Sequence, residues 1–278
     1  MIKVGRFNEL EVVKFVDFGV YLAEHAQAVT KILLPRKYVP EDLELGDKIK
    51  VFIYLDSEDR LVATTEKPLA QVGEIKLLKC VDANKIGAFL DWGLEKDLFV
   101  PFKHQTYRMF KGEFYVVKVL FDDRSNRIIG SNCFNKILPC KVDDLTENQE
   151  VSMIVYGENE IGYKVIIDHK NLGMIFKNQI FQPVKLGDVL KGFVSKIRPD
   201  GKIDLVLQKS GFKNKLPEKD RVLEILQQSG GFLPITAKTT PAEIANIFGV
   251  SKRTYKQMIG MLYKERKVEI RDDGVKLL

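Results

Sequence analysis

Phe18 and Tyr21 are the residues whose types and spacing first indicate a binding chemistry. They lie three positions apart across Gly19, in a run from Val16 to Leu22 that is typical of a β-strand. Because side chains alternate between the two faces of a strand, both rings cannot enter one core unless a bulge intervenes. An aromatic ring left on a β-surface can stack an unpaired nucleic-acid base. The alternative is that both rings are ordinary core residues.

The sequence contains no recognisable catalytic or metal-binding motif. It has no phosphate-binding loop of the form G-x-x-x-x-G-K-[ST], no H-E-x-x-H and no G-x-S-x-G. The histidines His25, His104 and His169 are too scattered to form a ligand set. The acidic pairs at 122–123 and 143–144 are typical of turns. The sequence therefore predicts a protein that is not an enzyme and needs no cofactor or metal.

The composition is that of an ordinary globular protein with several domains. Of the 278 residues, 45% are hydrophobic and 29% are charged, which excludes global disorder and fibrous classes. A chain of this length is expected to divide into two or more domains. The formal net charge is +6, with a slight acidic excess in residues 1–67 and a basic excess in the rest. This charge permits nucleic-acid binding if the positive groups cluster, but does not prove it.

Location and redox state follow from simple patterns. No run of about 18 apolar residues is present, so the sequence predicts no transmembrane helix and no membrane partner. The N-terminus lacks the apolar stretch of a secretory signal, so we expect a cytoplasmic protein. The cysteines, Cys80, Cys133 and Cys140, are odd in number and form no C-x-x-C pair. We expect no disulfide framework and no zinc site.

Internal repeats indicate the architecture of the first 210 residues or so, which read as short β-strands between turn residues. Gly19-Val20-Tyr21-Leu22 recurs as Gly87-Ala88-Phe89-Leu90, 68 residues later, and Gly46-Asp47 recurs as Gly112-Glu113, 66 residues later. A weaker third copy has Gly187-Asp188, 141 residues after the first pair. A unit of about 70 residues with roughly five strands favours a closed oligonucleotide-binding (OB) barrel over an SH3-like one.

The run Val16-Asp17-Phe18-Gly19-Val20-Tyr21-Leu22 resembles the S-one (S1) type RNA-binding repeat, which has this barrel fold. In that family a G-L-V-H-I-S-like segment and a G-D pair follow, and the next strand ends near D-x-x-x-R. Here these parts read Leu33-Leu34-Pro35, Gly46-Asp47 and Asp56 to Arg60. Leu34 or Pro35 replaces the family's histidine, so no copy carries the full binding set.

The resemblance implies an RNA-binding set of aromatic and basic side chains on the barrel faces. In the first copy the predicted residues are Lys14, Phe18, Tyr21, Arg36, Lys37 and Arg60; in the second, Phe89, Phe99, Lys103, His104, Arg124 and Arg127; in the third, Lys164, Phe176 and Lys177. The second copy has Ile86 at the first aromatic position, and the third has Lys164 near the second.

Helical periodicity replaces strand alternation near Pro217, which predicts a helix from Pro217 to Gln228. Thr240-Pro241-Ala242-Glu243 is a capping box with proline at the first helical position, so a second helix should run from Pro241 to Phe248. Ser251 should cap a third helix from Lys252 to about Lys267. Its predicted apolar face is Tyr255, Ile259, Leu262 and Tyr263.

A hairpin of residues 268–270 and 275–278 should follow, and the whole segment resembles a winged helix-turn-helix. In that resemblance the helix after Ser251 is the recognition helix. The residues that would face a nucleic-acid groove are Lys252, Arg253, Tyr255 and Lys256. The alternative is that this domain packs on the barrels or on a protein and its basic residues are merely solvated.

Three such barrels followed by a winged helix resemble the bacterial conserved virulence factor B family over nearly the whole chain. The predicted fold is mainly β with a small α+β C-terminal domain. The predicted domains are OB barrels at 1–67, 68–140 and 141–214 and a winged helix at 215–278. The resemblance implies a cytoplasmic regulator of gene expression that binds chiefly single-stranded RNA. The alternatives are a duplex-DNA-binding transcription regulator and a protein adaptor at the ribosome or RNA polymerase.

Overall fold

The computed structural model describes residues 2–138, 144–180, 183–207, 215–236 and 238–278. Cys140 and the domain boundaries predicted near residues 140 and 214 lie outside these ranges. The chain forms two compact units, one containing the first two barrels and the other containing most of the third barrel and the C-terminal domain. No helix in the described ranges is long and apolar enough to cross a membrane.

Fifteen strands of the described chain form three closed five-stranded barrels. The first barrel contains β1 (Phe7–Val16), β2 (Gly19–Ala23), β3 (Ile32–Pro35), β4 (Lys48–Leu55) and β5 (Leu61–Thr64). The second contains β6 (Ile75–Ala83), β7 (Gly87–Asp91), β8 (Leu98–Pro101), β9 (Phe114–Asp122) and β10 (Arg127–Ser131), after which comes the short helix α1 (Phe134–Ile137). The third contains β11 (Glu150–Glu158), β12 (Gly162–Ile167), β13 (Asn171–Phe176), β14 (Val189–Ile197) and β15 (Ile203–Val206).

All three barrels have the same strand order. In the first barrel the order is β1-β2-β3-β5-β4, and the other two repeat it. Closure depends on a parallel pair, β3 with β5, β8 with β10 and β13 with β15. Bulges interrupt β1 between Val12 and Lys14 and β6 between Cys80 and Asp82, at equivalent positions. Closure leaves these sheets without free edges, which explains why so short a unit can be stable.

Two glycine positions explain the repeated sequence pattern. A Cβ on Gly19 would lie 2.1 Å from the Leu34 carbonyl oxygen, because the second and third strands approach closely there. Equivalent close approaches occur at Gly87 and Gly162, with distances of 2.4 and 2.3 Å. At Gly46 the reason is backbone conformation, since φ is +91° and a side chain would be strained. The glycines of the repeat are therefore required by geometry.

The first two barrels are joined by a shared hydrophobic core. Phe52 and Tyr54 of the first barrel belong to the same buried cluster as Trp92 of the second. The rings of Phe52 and Trp92 meet edge to face with centroids 5.8 Å apart. Backbone hydrogen bonds cross the junction too, such as the 2.9 Å bond from the Val72 N–H to the Gly5 carbonyl. The two barrels therefore form one packed body.

The C-terminal domain is a small α+β unit with its own core. It contains α2 (Lys215–Gln228), β16 (Phe232–Leu233), α3 (Pro241–Phe248), α4 (Lys252–Lys264), β17 (Val268–Ile270) and β18 (Val275–Leu277). The three strands pair in the order β16-β18-β17. The predicted capping box is present, with the Thr240 hydroxyl accepting from the Glu243 N–H and the Glu243 carboxylate accepting from the Thr240 N–H. The predicted fold class, mainly β with three OB barrels and a winged helix, is confirmed.

Details of the last helix differ from the prediction. It ends at Lys264, three residues early, because Arg266 adopts a left-handed conformation with φ of +55°. The Lys267 N–H then bonds the Leu262 carbonyl, which terminates the helix in a Schellman arrangement. Tyr263 is 56% exposed and does not belong to the apolar face; Met258 is buried there instead.

Candidate nucleic-acid interface

The structure brings four predicted residues of the first barrel together on one face. Phe18 is 58% exposed and Tyr21 is half-buried, and their rings contact edge to face with centroids 6.4 Å apart. Lys14 is the cross-strand neighbour of Tyr21. The Arg36 N–H donates to the Phe18 carbonyl at 2.9 Å, and its guanidinium donates to the Asp17 carbonyl at 3.3 Å. We call Lys14, Phe18, Tyr21 and Arg36 the barrel-1 face.

The bulge in β1 helps to form this face. It shifts the register between Val12 and Lys14, so that Lys14 rather than its neighbour pairs with Tyr21. Gly19 brings β3 close to β2, and the residue before it turns outward. At the equivalent position of the other barrels Ile86 and Ile161 are 61% and 57% exposed. Each barrel thus presents one large apolar side chain to solvent at the same place.

In the second barrel the corresponding face forms the wall of a pocket at the junction with the first barrel. Phe89 and Phe99 are cross-strand partners with ring centroids 5.2 Å apart. Together with Lys96 and Arg127 they line a pocket of about 230 Å³. The Asp97 carboxyl also lines it, and burial raises the pKa of this carboxyl. Two predicted aromatic residues and one predicted cation are therefore neighbours here.

In the third barrel the predicted residues are less aromatic. Lys164 is exposed on β12, and Phe176 is half-buried at the end of β13. The Arg198 guanidinium lies over the Phe176 ring at 5.8 Å, and its pKa is raised by the Asp204 carboxylate, to which it bonds at 2.9 Å. Arg198 is absent from the predicted set, although it begins the turn that resembles the D-x-x-x-R segment. This face therefore offers one shielded ring and two cations.

A short 3-10 turn follows the third strand of every barrel and carries basic residues. These turns are Arg36–Tyr38, Phe102–His104 and Lys177–Gln179. Burial lowers the pKa of the His104 imidazole, and the neighbouring Lys103 lowers it further. His104 is therefore neutral at physiological pH and can take part only through hydrogen bonds.

Ion pairs engage five of the predicted cations. Lys37 pairs with Glu95 at 2.7 Å, Arg60 with Asp56 at 2.7 Å, Lys103 with Asp122 at 3.9 Å, Lys177 with Glu158 at 2.6 Å, and Arg127 with Asp59. The Glu95 carboxylate raises the pKa of Lys37, and Glu158 raises that of Lys177. Surface pairs of this kind contribute about 0–1 kcal/mol, so a phosphate can compete for the cation.

Four predicted cations are not paired with an acid anywhere in the described ranges: Lys14, Arg36, Arg124 and Lys164. Lys14 and Arg36 belong to the barrel-1 face, whereas Arg124 lies in the β9–β10 turn, away from the aromatic pair of its barrel by sequence position. The barrel-1 face thus combines two rings with two available cations.

The winged-helix residues divide into two groups. Arg253 and Lys256 are exposed in the first two turns of α4. The Lys252 ammonium donates to the Thr239 carbonyl at 2.6 Å. Tyr255 is 5% exposed and stacks on Phe248 with centroids 4.7 Å apart, so its ring cannot face a nucleic-acid groove. The prediction for Tyr255 was therefore wrong, because helical spacing also places it on the core side.

No group of three or more His, Cys, Asp or Glu side chains in the described part of the chain can hold a metal ion. Cys80 is buried, and burial raises the pKa of its thiol. The candidate site therefore consists of aromatic and basic side chains.

Comparison with known proteins agrees with this architecture. An S1 domain matches residues 4–66, and a CvfB-like winged helix domain matches residues 220–277. The Bacillus subtilis (strain 168) uncharacterized protein YitL is 28% identical over 91% of this chain and 86% of its own. Conserved virulence factor B of Staphylococcus epidermidis (strain ATCC 12228) is 22% identical over 99% of this chain and 94% of its own.

A solved structure has similar extent. It is a multidomain protein with nucleic acid binding domains from Streptococcus pneumoniae TIGR4, 24% identical, covering 99% of this chain and 98% of that chain, with a TM-score of 0.44.

The fold and the domain matches define a class: tandem S1-type barrels followed by a winged helix, which are domain types of nucleic-acid-binding proteins. Within that class, the chain belongs to the conserved virulence factor B family.

Proposed function

We propose that this protein is a non-enzymatic regulator of gene expression that binds single-stranded RNA through the outer faces of its barrels. The observation that carries the proposal is the barrel-1 face, where the exposed Phe18 ring contacts Tyr21 beside Lys14 and Arg36. An exposed ring can stack a base of any sequence, and an adjacent cation can contact the phosphate that follows.

Single-stranded nucleic acid fits this face better than a duplex. The bases of a duplex are already stacked on one another, whereas an unpaired base gains about 1–3 kcal/mol from an aromatic partner. The Phe18 ring stands free of the core, so stacking requires no rearrangement of the barrel.

The second and third barrels supply weaker additional contacts under this proposal. The Phe89–Phe99 pair lies beside Arg127, whose guanidinium is already engaged by Asp59. The third barrel offers Lys164 and the Arg198–Phe176 pair. We therefore expect most of the binding free energy from the first barrel and an extension along the strand from the other two.

Fluorescence anisotropy of the full chain with labelled single-stranded RNA and duplex DNA of matched length tests the proposal. The double variant Phe18→Ala/Tyr21→Ala should weaken RNA binding by about 10- to 100-fold if one ring stacks a base. Phe114→Ala is the matched control, since that ring is also half exposed but lies in β9, outside the faces. Unchanged RNA affinity of the folded double variant would refute the barrel-1 site.

A second candidate is duplex-DNA binding by the winged helix, favoured by the exposure of Arg253 and Lys256 on the capped helix α4. Under this candidate, Arg253→Ala/Lys256→Ala abolishes duplex binding while Phe18→Ala/Tyr21→Ala leaves it intact. Absence of binding to either nucleic acid would favour the protein-adaptor alternative.

A further inference from the structure

A groove in the C-terminal domain opens between α4, the β17–β18 hairpin and the residues that precede α3. Its volume is about 720 Å³. Its floor consists of core side chains that are each at most 5% exposed: Ile235, Ile244, Ile259 and Val275. A concave apolar floor with a few polar groups is the usual form of a small-ligand site.

One polar group of the floor lacks a partner. The Tyr255 side chain lines the groove, and its buried hydroxyl makes no hydrogen bond with any described residue. Buried hydroxyl groups are hydrogen-bonded in the great majority of native structures, because an unpaired one is costly. The ring itself is fixed by its stack on Phe248, so the hydroxyl cannot turn away to solvent. An occupant with a polar edge would satisfy it.

The wall of the groove contains a glycine that the domain's own packing does not require. Gly260 lies inside α4, and a Cβ there would meet no heavy atom within 4 Å. Glycine is one of the least favourable residues for a helix interior, and here neither backbone conformation nor crowding demands it. A bare helix backbone allows a flat molecule to lie directly against it.

Positive charge surrounds the opening. The cations lining the groove are Lys238, Lys252, Lys256 and Arg271, against the single acid Asp272. Arg271 pairs with Glu269 at 2.6 Å, whereas Lys238 and Lys256 are paired with no acid in the described ranges. An anionic group on the occupant is therefore favoured at the rim.

We propose that this groove binds one nucleotide. The base lies on the apolar floor against Gly260 and offers its polar edge to the Tyr255 hydroxyl, and the phosphate lies at the rim near Lys238 and Lys256. This site is separate from the barrel faces and goes beyond the RNA binding proposed for them. The occupant is a free mononucleotide or an unpaired nucleotide of a strand, since both present a flat ring with a polar edge and a phosphate.

Calorimetric titration of the full-length Phe18→Ala/Tyr21→Ala variant tests the groove without the barrel-1 face. The probes are AMP, adenosine, inorganic phosphate and a 5′-phosphorylated tetra-adenylate. AMP should bind at least about tenfold more tightly than adenosine or phosphate, since it alone uses both floor and rim. A tetra-adenylate that binds tenfold more tightly than AMP identifies a strand as the occupant, and equal affinities identify the free nucleotide.

Variants at one position separate binding from folding. Gly260→Leu fills the groove and should weaken AMP and tetra-adenylate binding by at least about tenfold. Gly260→Ala is the matched control and should retain binding, because its Cβ enters open space. Tyr255→Phe removes only the hydroxyl and should weaken binding about fivefold.

Three results would overturn the nucleotide site: no heat with AMP and tetra-adenylate at millimolar concentration, equal affinity for AMP and phosphate, or full binding by a folded Gly260→Leu variant. None of them depends on the barrel-face proposal, because its two rings are absent from every titration.

Discussion

The carboxylate of Asp59, in the turn between β4 and β5, forms an ion pair with the guanidinium of Arg127 in the neighbouring barrel. The two residues are 68 positions apart in sequence. The Lys96 ammonium approaches the same carboxylate at 3.4 Å. Charged contacts at the rim and the Phe52–Trp92 contact in the core therefore hold the first two barrels together.

The Asp59–Arg127 pair should make stability depend on pH in the acidic range. The hydrogen bond from Arg127 lowers the pKa of the Asp59 carboxyl below its ordinary value of 3.8. A lowered folded pKa stabilises the fold above the unfolded pKa, and this contribution is lost as the pH falls through the folded pKa. Asp59→Asn should therefore reduce the thermal stability at pH 7 and have little effect at pH 2.

Thermal unfolding at both pH values measures this effect. Asp123→Asn serves as the control, because that exposed carboxylate has no ion-pair partner in the described ranges. An equal loss of stability for Asp59→Asn at the two pH values would contradict the electrostatic explanation.

Phe52→Ala should destabilise both of the first two barrels at once. The ring is fully buried and lies between the barrels, so its truncation should cost about 3–5 kcal/mol. Trp92 is the only tryptophan of the chain and belongs to the other barrel, so its fluorescence in a urea titration reports the effect across the junction. Phe52→Leu should cost less. A Trp92 transition that does not move in Phe52→Ala would show that the barrels unfold independently.

Two glycine substitutions should differ in cost for different physical reasons. Gly19→Ala places a Cβ 2.1 Å from the Leu34 carbonyl oxygen and must push β2 and β3 apart. Gly46→Ala meets no atom within 4 Å and pays only for a left-handed backbone, about 1 kcal/mol. We expect Gly19→Ala to be the more destabilising by at least 1–2 kcal/mol in urea unfolding. The reverse order would contradict the close approach of these strands.

Lys14→Ala should reduce the salt dependence of RNA binding. Each phosphate contact with a single strand contributes a slope of about −0.7 in a plot of log affinity against log salt concentration. Loss of one contact should therefore make the slope shallower by about that amount. Lys31→Ala provides the control, since Lys31 is exposed but precedes β3, outside the barrel-1 face. A slope unchanged by Lys14→Ala would remove this lysine from the interface.

Gly260→Ala should stabilise the C-terminal domain. Alanine is favoured over glycine in a helix interior by about 1 kcal/mol, and the added Cβ meets no neighbour. Thermal unfolding followed by circular dichroism measures the change, with Thr240→Ala as the opposing reference, since loss of that helix cap should cost about 1 kcal/mol. A destabilised Gly260→Ala would show that the groove is narrower than its geometry indicates.

The barrels were predictable because their repeated glycines meet strict backbone requirements. Gly19 and Gly87 stand where two strands nearly touch, so their spacing records the fold directly in the sequence. The helix caps at Thr240 and Ser251 were predictable for a similar reason, because capping is a local interaction between residues three apart.

The parts that could not be predicted depend on contacts between distant residues. Nothing near Arg127 in the sequence identifies Asp59 as its partner, since the contact arises only when two barrels pack. The burial of Tyr255 against Phe248 was also hidden, because its basic neighbours on α4 suggested a solvent-facing turn. Helical spacing indicates which residues share a face but not which face the domain covers.

The shared core of the first two barrels also sets a length scale. Because Phe52 packs against Trp92, the distance from the Phe18 ring to the Phe89–Phe99 pair is fixed and does not vary as it would across a flexible linker. An oligonucleotide too short to span that distance can occupy one face at a time, whereas a longer strand gains the second contact at high effective concentration. The protein should therefore act as a molecular ruler, with an affinity that rises in one step at a threshold strand length.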